Sequence, residues 1–346
     1  MENKRQLLLG IYALIVMGCG FGLYNASYSK APFTIKAAIQ ASSLDEDYIG
    51  LMAFKQHVEA ASEGRVEVQV FASGQFCSSV PECVGNLQKG VLEMFPTTAG
   101  GTGNFFAPAQ VLDLPYAFSG NAQAECVMQG PILDKMREQV LLDGLNLRLI
   151  GVTNTGGWRN FATTDKQIRS PADLVGQKIR TTPAKVQQEL AKQLGANPTP
   201  ISWAELYTAL ATGVVEGSKN GIQDIIGAKL EEHLDYIVLD GHSYMAALWW
   251  FSEPQWQALP EDIQRIVEQG FVKQRNAARD HVINGEAASY QLFEQAGGTV
   301  YQPTEEQKQA FVDASKNMRP WFVENYGNQW LNALDETVAL CETPPL

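Results

Sequence analysis

Between Gly157 and Gly221 the chain reads strand, helix, strand, helix, strand in quick succession. That alternation restricts the segment to an α/β unit in which neighbouring strands lie side by side. Arg159 and Arg180 fall on the first two strand-like runs, and Lys219-Asn220 ends the third. Trp203 lies between them in Pro198-Thr199-Pro200-Ile201-Ser202-Trp203. A guanidinium offers a fixed fork of donors that matches a carboxylate bidentately, which lysine cannot do. Taken alone, the segment also fits an ordinary α/β domain with two surface arginines and a core tryptophan.

The same alternation extends through the chain. Phe33 to Ile39 reads as a strand, and Tyr48 to Ser62 as an amphipathic helix stopped by Gly64. Arg65 to Phe71 alternates as a second strand. A helix over Cys83 to Gly90, a short strand over Val91 to Thr97 and a glycine-rich loop from Thr98 to Asn104 follow. Asn146 to Thr153 and Lys178 to Thr182 are further strands, with Ser170-Pro171 capping a short helix between them. Ser202 and Glu205 have the spacing of a capping box. Helices dominate from Pro260 onward. The prediction is a mostly parallel α/β sheet and, at 346 residues, two of them.

Lys4 and Arg5 precede an apolar run from Leu7 to Gly18, too short for a comfortable membrane span and typical of an export signal. Val16-Met17-Gly18-Cys19 has the form of a lipobox, which makes Cys19 a lipidation candidate; cleavage beyond residue 26 is the alternative. Residues 1–30 therefore read as the export segment of a periplasmic protein. Four cysteines remain, an even set suited to an oxidising compartment. Cys77 and Cys83 are close enough to pair locally, which leaves Cys126 with Cys341, although spacing alone does not fix connectivity.

A net charge of -12 disfavours nucleic acid and anionic membranes as partners. No GxSxG elbow, P-loop or Rossmann spacing is present, and Gly217-Ser218-Lys219-Asn220-Gly221 has the wrong spacing for the first of these. The four histidines are scattered and no CxxC occurs, so neither a metal site nor a cofactor is expected. Glu231-Glu232 reads as solvated charge and Trp249-Trp250-Phe251 as buried strand. The pattern is that of a binder and not of an enzyme.

Motifs in order and spacing carry a resemblance over about residues 33–330. They include Glu59-Ala60-Ala61-Ser62-Glu63-Gly64-Arg65-Val66, Phe71-Ala72-Ser73-Gly74-Gln75, Leu112-Asp113-Leu114-Pro115-Tyr116, Gly157-Trp158-Arg159-Asn160, Asp173-Leu174-Val175-Gly176-Gln177-Lys178-Ile179-Arg180 and Glu205-Leu206-Tyr207-Thr208-Ala209-Leu210. The chain resembles the solute-binding proteins of tripartite ATP-independent periplasmic (TRAP) transporters, of the DctP type. The resemblance implies a two-lobed α/β fold of the periplasmic-binding-protein kind, with a ligand cleft between the lobes and a long connecting helix. Lobe I would hold 33–155 plus about 246–285, and lobe II 156–245 plus about 286–346. It implies that Arg180 holds a ligand carboxylate, that Arg159 supports it, that Trp203 packs on the ligand and that Asn220 closes the site. Gln40 and Thr98 would line the pocket from the other lobe. The implied partners are a small organic acid and the membrane permease subunits, with the protein itself a monomer needing no nucleotide. A sensor-kinase partner would look the same in sequence, and an exported enzyme is the remaining alternative. One position departs from the family: Lys219 stands where an acidic or amide residue is usual. A cation there would oppose an amine-bearing ligand and favour a second anionic or strongly polar group.

Overall fold

The computed structural model describes residues 31–342. The export segment, with Cys19, lies outside the described residues, and among those described no helix is long and apolar enough to cross a membrane.

Strand β1 (Phe33–Ala38) is flanked by β2 (Val66–Phe71) and β3 (Met94–Thr98), both parallel to it. Helix α1 (Glu46–Ala61) connects β1 to β2, and α2 (Val80–Gln88) leads from β2 to β3. Asp45 caps α1, its Oδ1 accepting from the Asp47 amide at 2.9 Å, and Glu46 and Asp47 place acid on the positive end of the helix. Helices α3 (Asn121–Val127) and α4 (Pro131–Leu142) then lead into β4 (Leu147–Thr163).

A second wing mirrors the first. Strands β5 (Lys178–Thr181) and β6 (Asn197–Pro200) are parallel, with α5 (Lys185–Gln193) between them. Helix α6 (Leu206–Ala211) precedes β7 (Gly217–Asn220), which is parallel to β5, and α7 (Ile222–Gly227) follows it.

Two 17-residue strands, β4 and β8 (Tyr236–Ser252), run antiparallel through the middle and join the wings. The first half of β4 and the second half of β8 belong beside β3, where Met94 pairs with Phe251 and Leu147 with Ser252. Their other halves lie beside β7 and the short β9 (Thr299–Tyr301). Between the halves the register slips from Asn154↔Ala246 to Trp158↔Tyr244, a bulge built on Gly156 and Gly157 at φ of 100° and 75°. The expected pair of mostly parallel sheets is therefore one nine-stranded sheet, order β2-β1-β3-β8-β4-β7-β5-β6 with β9 on β8, whose centre is antiparallel. Local strand periodicity carries no information about which strands pass between wings, so the sequence could not reveal this join.

After the short α8 (Glu253–Ala258), helix α9 (Glu261–Gln295) runs 35 residues, about 52 Å at 1.5 Å per residue. Its Ile263, Val267 and Phe271 pack into the first wing's core with Phe54 and Trp249, while its Phe293 packs into the second wing's core with Leu206 and Ile237. Gly270 lets α9 approach α1, since a Cβ there would meet Val58 at 2.6 Å. The helix thus braces both wings. On the other face of the sheet a single core takes in Phe95, Leu149, Ile179 and Trp250. It also holds the C-terminal helices α11 (Met318–Tyr326) and α12 (Asn328–Glu342), reached through α10 (Glu305–Ala314). Trp249 and Trp250 alternate between the two faces, donating to Thr153 and Thr97 at 2.8 and 2.7 Å, and are wholly buried strand as expected.

Both expected disulfides are present. Cys77–Cys83 staples the turn into α2, and Cys126–Cys341 ties α12 to α3 across 215 residues.

Candidate functional site

A cavity of about 430 Å³ opens between the wings beside the β4 bulge. Gln40, Thr98, Arg159, Arg180, Trp203 and Asn220 all line it, so residues from β3, β4, β5 and β7 converge on one space with Gln40 from just beyond β1. Their arrangement follows from topology: the parallel strands of both wings end at the cavity, which is where open α/β sheets present ligand sites. The Cys77–Cys83 staple holds the wall at Ser78, Ser79 and Pro81.

Arg180 is 4% exposed. Its Nε donates to the Ile201 carbonyl at 3.0 Å, which fixes the plane of the guanidinium. Its charge lies 5.8 Å from the centre of the half-buried Trp203 ring. Among the described residues no carboxylate pairs with it, and its terminal nitrogens have no protein acceptor. Burial, then the like charge of Arg159, pulls its pKa down to about 9, and Asp224 pulls it back up. It stays a cation at neutral pH.

Arg159 is held more completely. Its Nη1 donates to the Lys219 carbonyl at 3.0 Å, and its Nε lies 3.7 Å from Oδ1 of Asp113 without a hydrogen bond. Asp113 in turn accepts from Gln187 of α5 at 2.5 Å. Asn220 is also committed: its Oδ1 accepts from Ser218 at 2.7 Å and its Nδ2 donates to Asp224 at 3.2 Å. Gln40 donates to the Ser78 carbonyl at 3.2 Å, bridging β1 to the cavity wall. Thr98 caps a 3-10 helix over Ala99–Asn104, its Oγ1 accepting from the Gly101 amide at 3.1 Å, where a loop was expected. The Ser202–Glu205 capping box is incomplete, since Ser202 bonds the Glu205 carboxylate and no backbone amide.

Lys219 does not line the cavity. Strand alternation turns it to the face opposite Ser218 and Asn220, where it is 2% exposed. Burial, then the charge of Arg159, drives its pKa well below the usual lysine value, with Asp113 pushing back. The expected influence of this cation on ligand choice is overturned by that geometry.

The cavity holds instead a group of carboxylates that sequence reasoning missed. Asp45, Asp47 and Asp224 line it, and Glu46 stands behind them. Oxygens of Asp45, Glu46 and Asp224 lie within 4.8 Å of one another. Asp47 accepts from Thr153 and Thr155 at 3.4 and 3.3 Å. Burial raises all four: Asp45 and Glu46 well above the usual carboxylate range, Asp47 to about 7 and Asp224 to about 6. Asp224 feels both arginines, which lower it against burial, yet it pairs directly with neither. The signal in the sequence was Asp45-Glu46-Asp47, an acidic triplet straight after the first strand, where helix capping is a sufficient explanation.

The solute-binding family model described as "Bacterial extracellular solute-binding protein, family 7" (DctP) matches residues 37–324. The chain belongs to that family. The 2,3-diketo-L-gulonate-binding periplasmic protein YiaO of Escherichia coli is 25% identical over 331 residues, 94% of this chain and 97% of YiaO. The ectoine-binding periplasmic protein TeaA of Halomonas elongata is 26% identical, covering 91% of each chain. A solved TRAP periplasmic solute-binding protein from Polaromonas, bound to D-erythronate, superposes with a TM-score of 0.81 at 25% identity, covering 87% of this chain and 98% of that one. The two-lobed fold and its long helix are those of this family, whose members are extracytoplasmic solute-binding proteins and not enzymes.

Proposed function

We propose that this protein captures a small carboxylate-bearing solute in the cavity between its wings and delivers it to a TRAP-type permease. The observation that carries this reading is Arg180: a buried guanidinium with its plane fixed, an indole beside it, and terminal nitrogens free to take a carboxylate bidentately. Arg159 acts behind it as an electrostatic support already anchored to Asp113 and the Lys219 carbonyl. Trp203 covers the apolar body of the solute, and Gln40 and Thr98 complete the wall from the opposite wing. Asn220 holds Asp224 in place.

The wings act as lobes, one built from 33–155 plus about 246–285 and the other from 156–245 plus about 286–346. Closure about the β4–β8 crossing buries the solute and presents a new outer surface to the permease. The export segment delivers a monomer to the periplasm, with Cys19 as its anchor if it is lipidated. Support for the class of solute comes from YiaO, named for binding 2,3-diketo-L-gulonate, and from the Polaromonas protein bound to D-erythronate.

The test is calorimetry against organic acids with the Arg180→Lys variant. Lysine keeps the charge and loses the fork, so affinity is expected to fall at least tenfold, about 1.4 kcal/mol or more. Unchanged affinity removes Arg180 from the site.

A further inference from the structure

We propose that the solute carries a cationic nitrogen in addition to its carboxylate, and that Asp45, Asp47 and Asp224 receive it at the acidic end of the cavity. This rests on the carboxylate reading of Arg180 and narrows it to zwitterionic acids.

Two independent observations meet in one space. Three carboxylates line the cavity with a fourth directly behind, and Oε1 of that fourth, Glu46, is buried without a hydrogen-bond partner. Arg180, 4% exposed, lines the same cavity with its terminal nitrogens unpaired. Neither set has a direct ion-pair partner across the cavity among the described residues: Arg159 lies against Asp113 and the Lys219 carbonyl, and both arginines act on Asp224 only at longer range. Acids crowded this closely in a low-dielectric site hold protons, and a cation entering among them stabilises their charged forms. A dicarboxylate would bring a further negative charge to that end. A zwitterion neutralises both ends with one molecule.

A ligand-borne nitrogen suits the site better than a metal ion. Calcium takes six to eight oxygen ligands. Beside Asp224 stands Met245, whose sulfur accepts from the Gly221 amide at 3.3 Å, and Ile39 and Ala247 line the same cavity with apolar side chains. An alkylammonium brings its own apolar stem to such a wall. Among the described residues no lysine lines the cavity, and Lys219 faces away from it.

The experiment is a thermal-shift and calorimetric comparison on the intact chain, refolded free of carried-over solute. Its probes are matched pairs in which a carbon replaces the nitrogen: butyrate with β-alanine, valerate with γ-aminobutyrate, tert-butylacetate with trimethylglycine, plus succinate and butylamine. Each is run with chelator and again with calcium chloride. The expected result is that the ammonium member of a pair binds at least tenfold more tightly than its neutral isostere, about the worth of one charge contact. Asp224→Asn and Asp45→Asn should shrink that ratio, while Arg180→Lys weakens the zwitterion and leaves butylamine unaffected. Tighter binding of succinate or of the neutral isosteres overturns the cation inference and leaves the carboxylate reading standing. Binding of butylamine as tight as that of γ-aminobutyrate, unaffected in Arg180→Lys, overturns the carboxylate reading. Succinate binding that needs calcium shows a metal in the acidic end and overturns the inference. If no member of any pair stabilises the protein, both readings fall.

Discussion

Asp224 keeps its proton up to about pH 6 and Asp47 up to about pH 7, because burial disfavours their charged forms and, for Asp47, the charge of Asp224 adds to it. In the unfolded chain such groups ionise near pH 4. Their folded-state values are raised, so their contribution to stability is complete below about pH 4 and is lost as pH rises through 6 and 7. His242 works in the opposite sense, since burial holds it neutral against the pull of Asp240. Asp224→Asn isolates one carboxylate from this mixture. The ligand-free variant should be more stable than the wild type at pH 8 by about 2 kcal/mol, with the gap closing towards pH 4. Parallel urea-midpoint curves across that range would reject the assignment. Trp203 offers a separate readout at the same scale. Solute entry should change tryptophan fluorescence, and Trp203→Phe should remove most of that change while weakening binding by about 1–2 kcal/mol. A variant with the signal and affinity of the wild type would make the indole plain core packing.

At the scale of elements, the bulge in β4 decides where the cavity lies. In the sequence Asn146 to Thr153 reads as a complete strand, with Arg159 on a separate strand-like run. The strand instead continues to Thr163, because β8 pairs with it on both sides of the bulge. Gly156 sits at φ 100°, and a Cβ there would lie 3.1 Å from both Asp224 oxygens and from the Met245 sulfur. Gly221 meets it from β7's end, where a Cβ would fall 1.9 Å from the Gly156 carbonyl oxygen. The backbone contact requires glycine at 221, and the positive φ favours it at 156. Gly156→Ala should cost about 1–3 kcal/mol in denaturant unfolding and lower solute affinity through the displaced Asp224. Wild-type stability and affinity together would show that the bulge tolerates a side chain.

Across the whole molecule, the C-terminal helices are secured by packing and by a covalent tie. Helix α12 buries Trp330, Leu331 and Leu334 in the large core, and Cys341 near its end bonds to Cys126. The bridge closes a loop of 215 residues, worth about 5 kcal/mol in the chain-entropy model. The Cys126→Ser/Cys341→Ser double variant should therefore unfold at a markedly lower denaturant concentration than one lacking Cys77–Cys83, whose separation is only 6 residues. Equal losses from the two deletions would contradict the entropic account.

Local periodicity determined the strand and helix identities of both wings, and the even cysteine count with its spacing anticipated the pairing of Cys77 with Cys83 and of Cys126 with Cys341. Motif order made the family legible, and with it Gln40, Thr98, Arg159, Arg180, Trp203 and Asn220, which meet around one cavity. Tertiary structure alone decided three things. It joined the wings through β4 and β8 into one sheet, because pairing between strands some 90 residues apart leaves no local trace (Asn154 with Ala246, for instance). It turned Lys219 away from the cavity, because a side chain's face depends on the register of its strand with its neighbours. It also brought Asp45 and Asp47, at the start of a helix in the first wing, against Asp224 at the start of another in the second. Each acid has an ordinary explanation in its own helix, and only their convergence in a buried space gives them a common charge to answer.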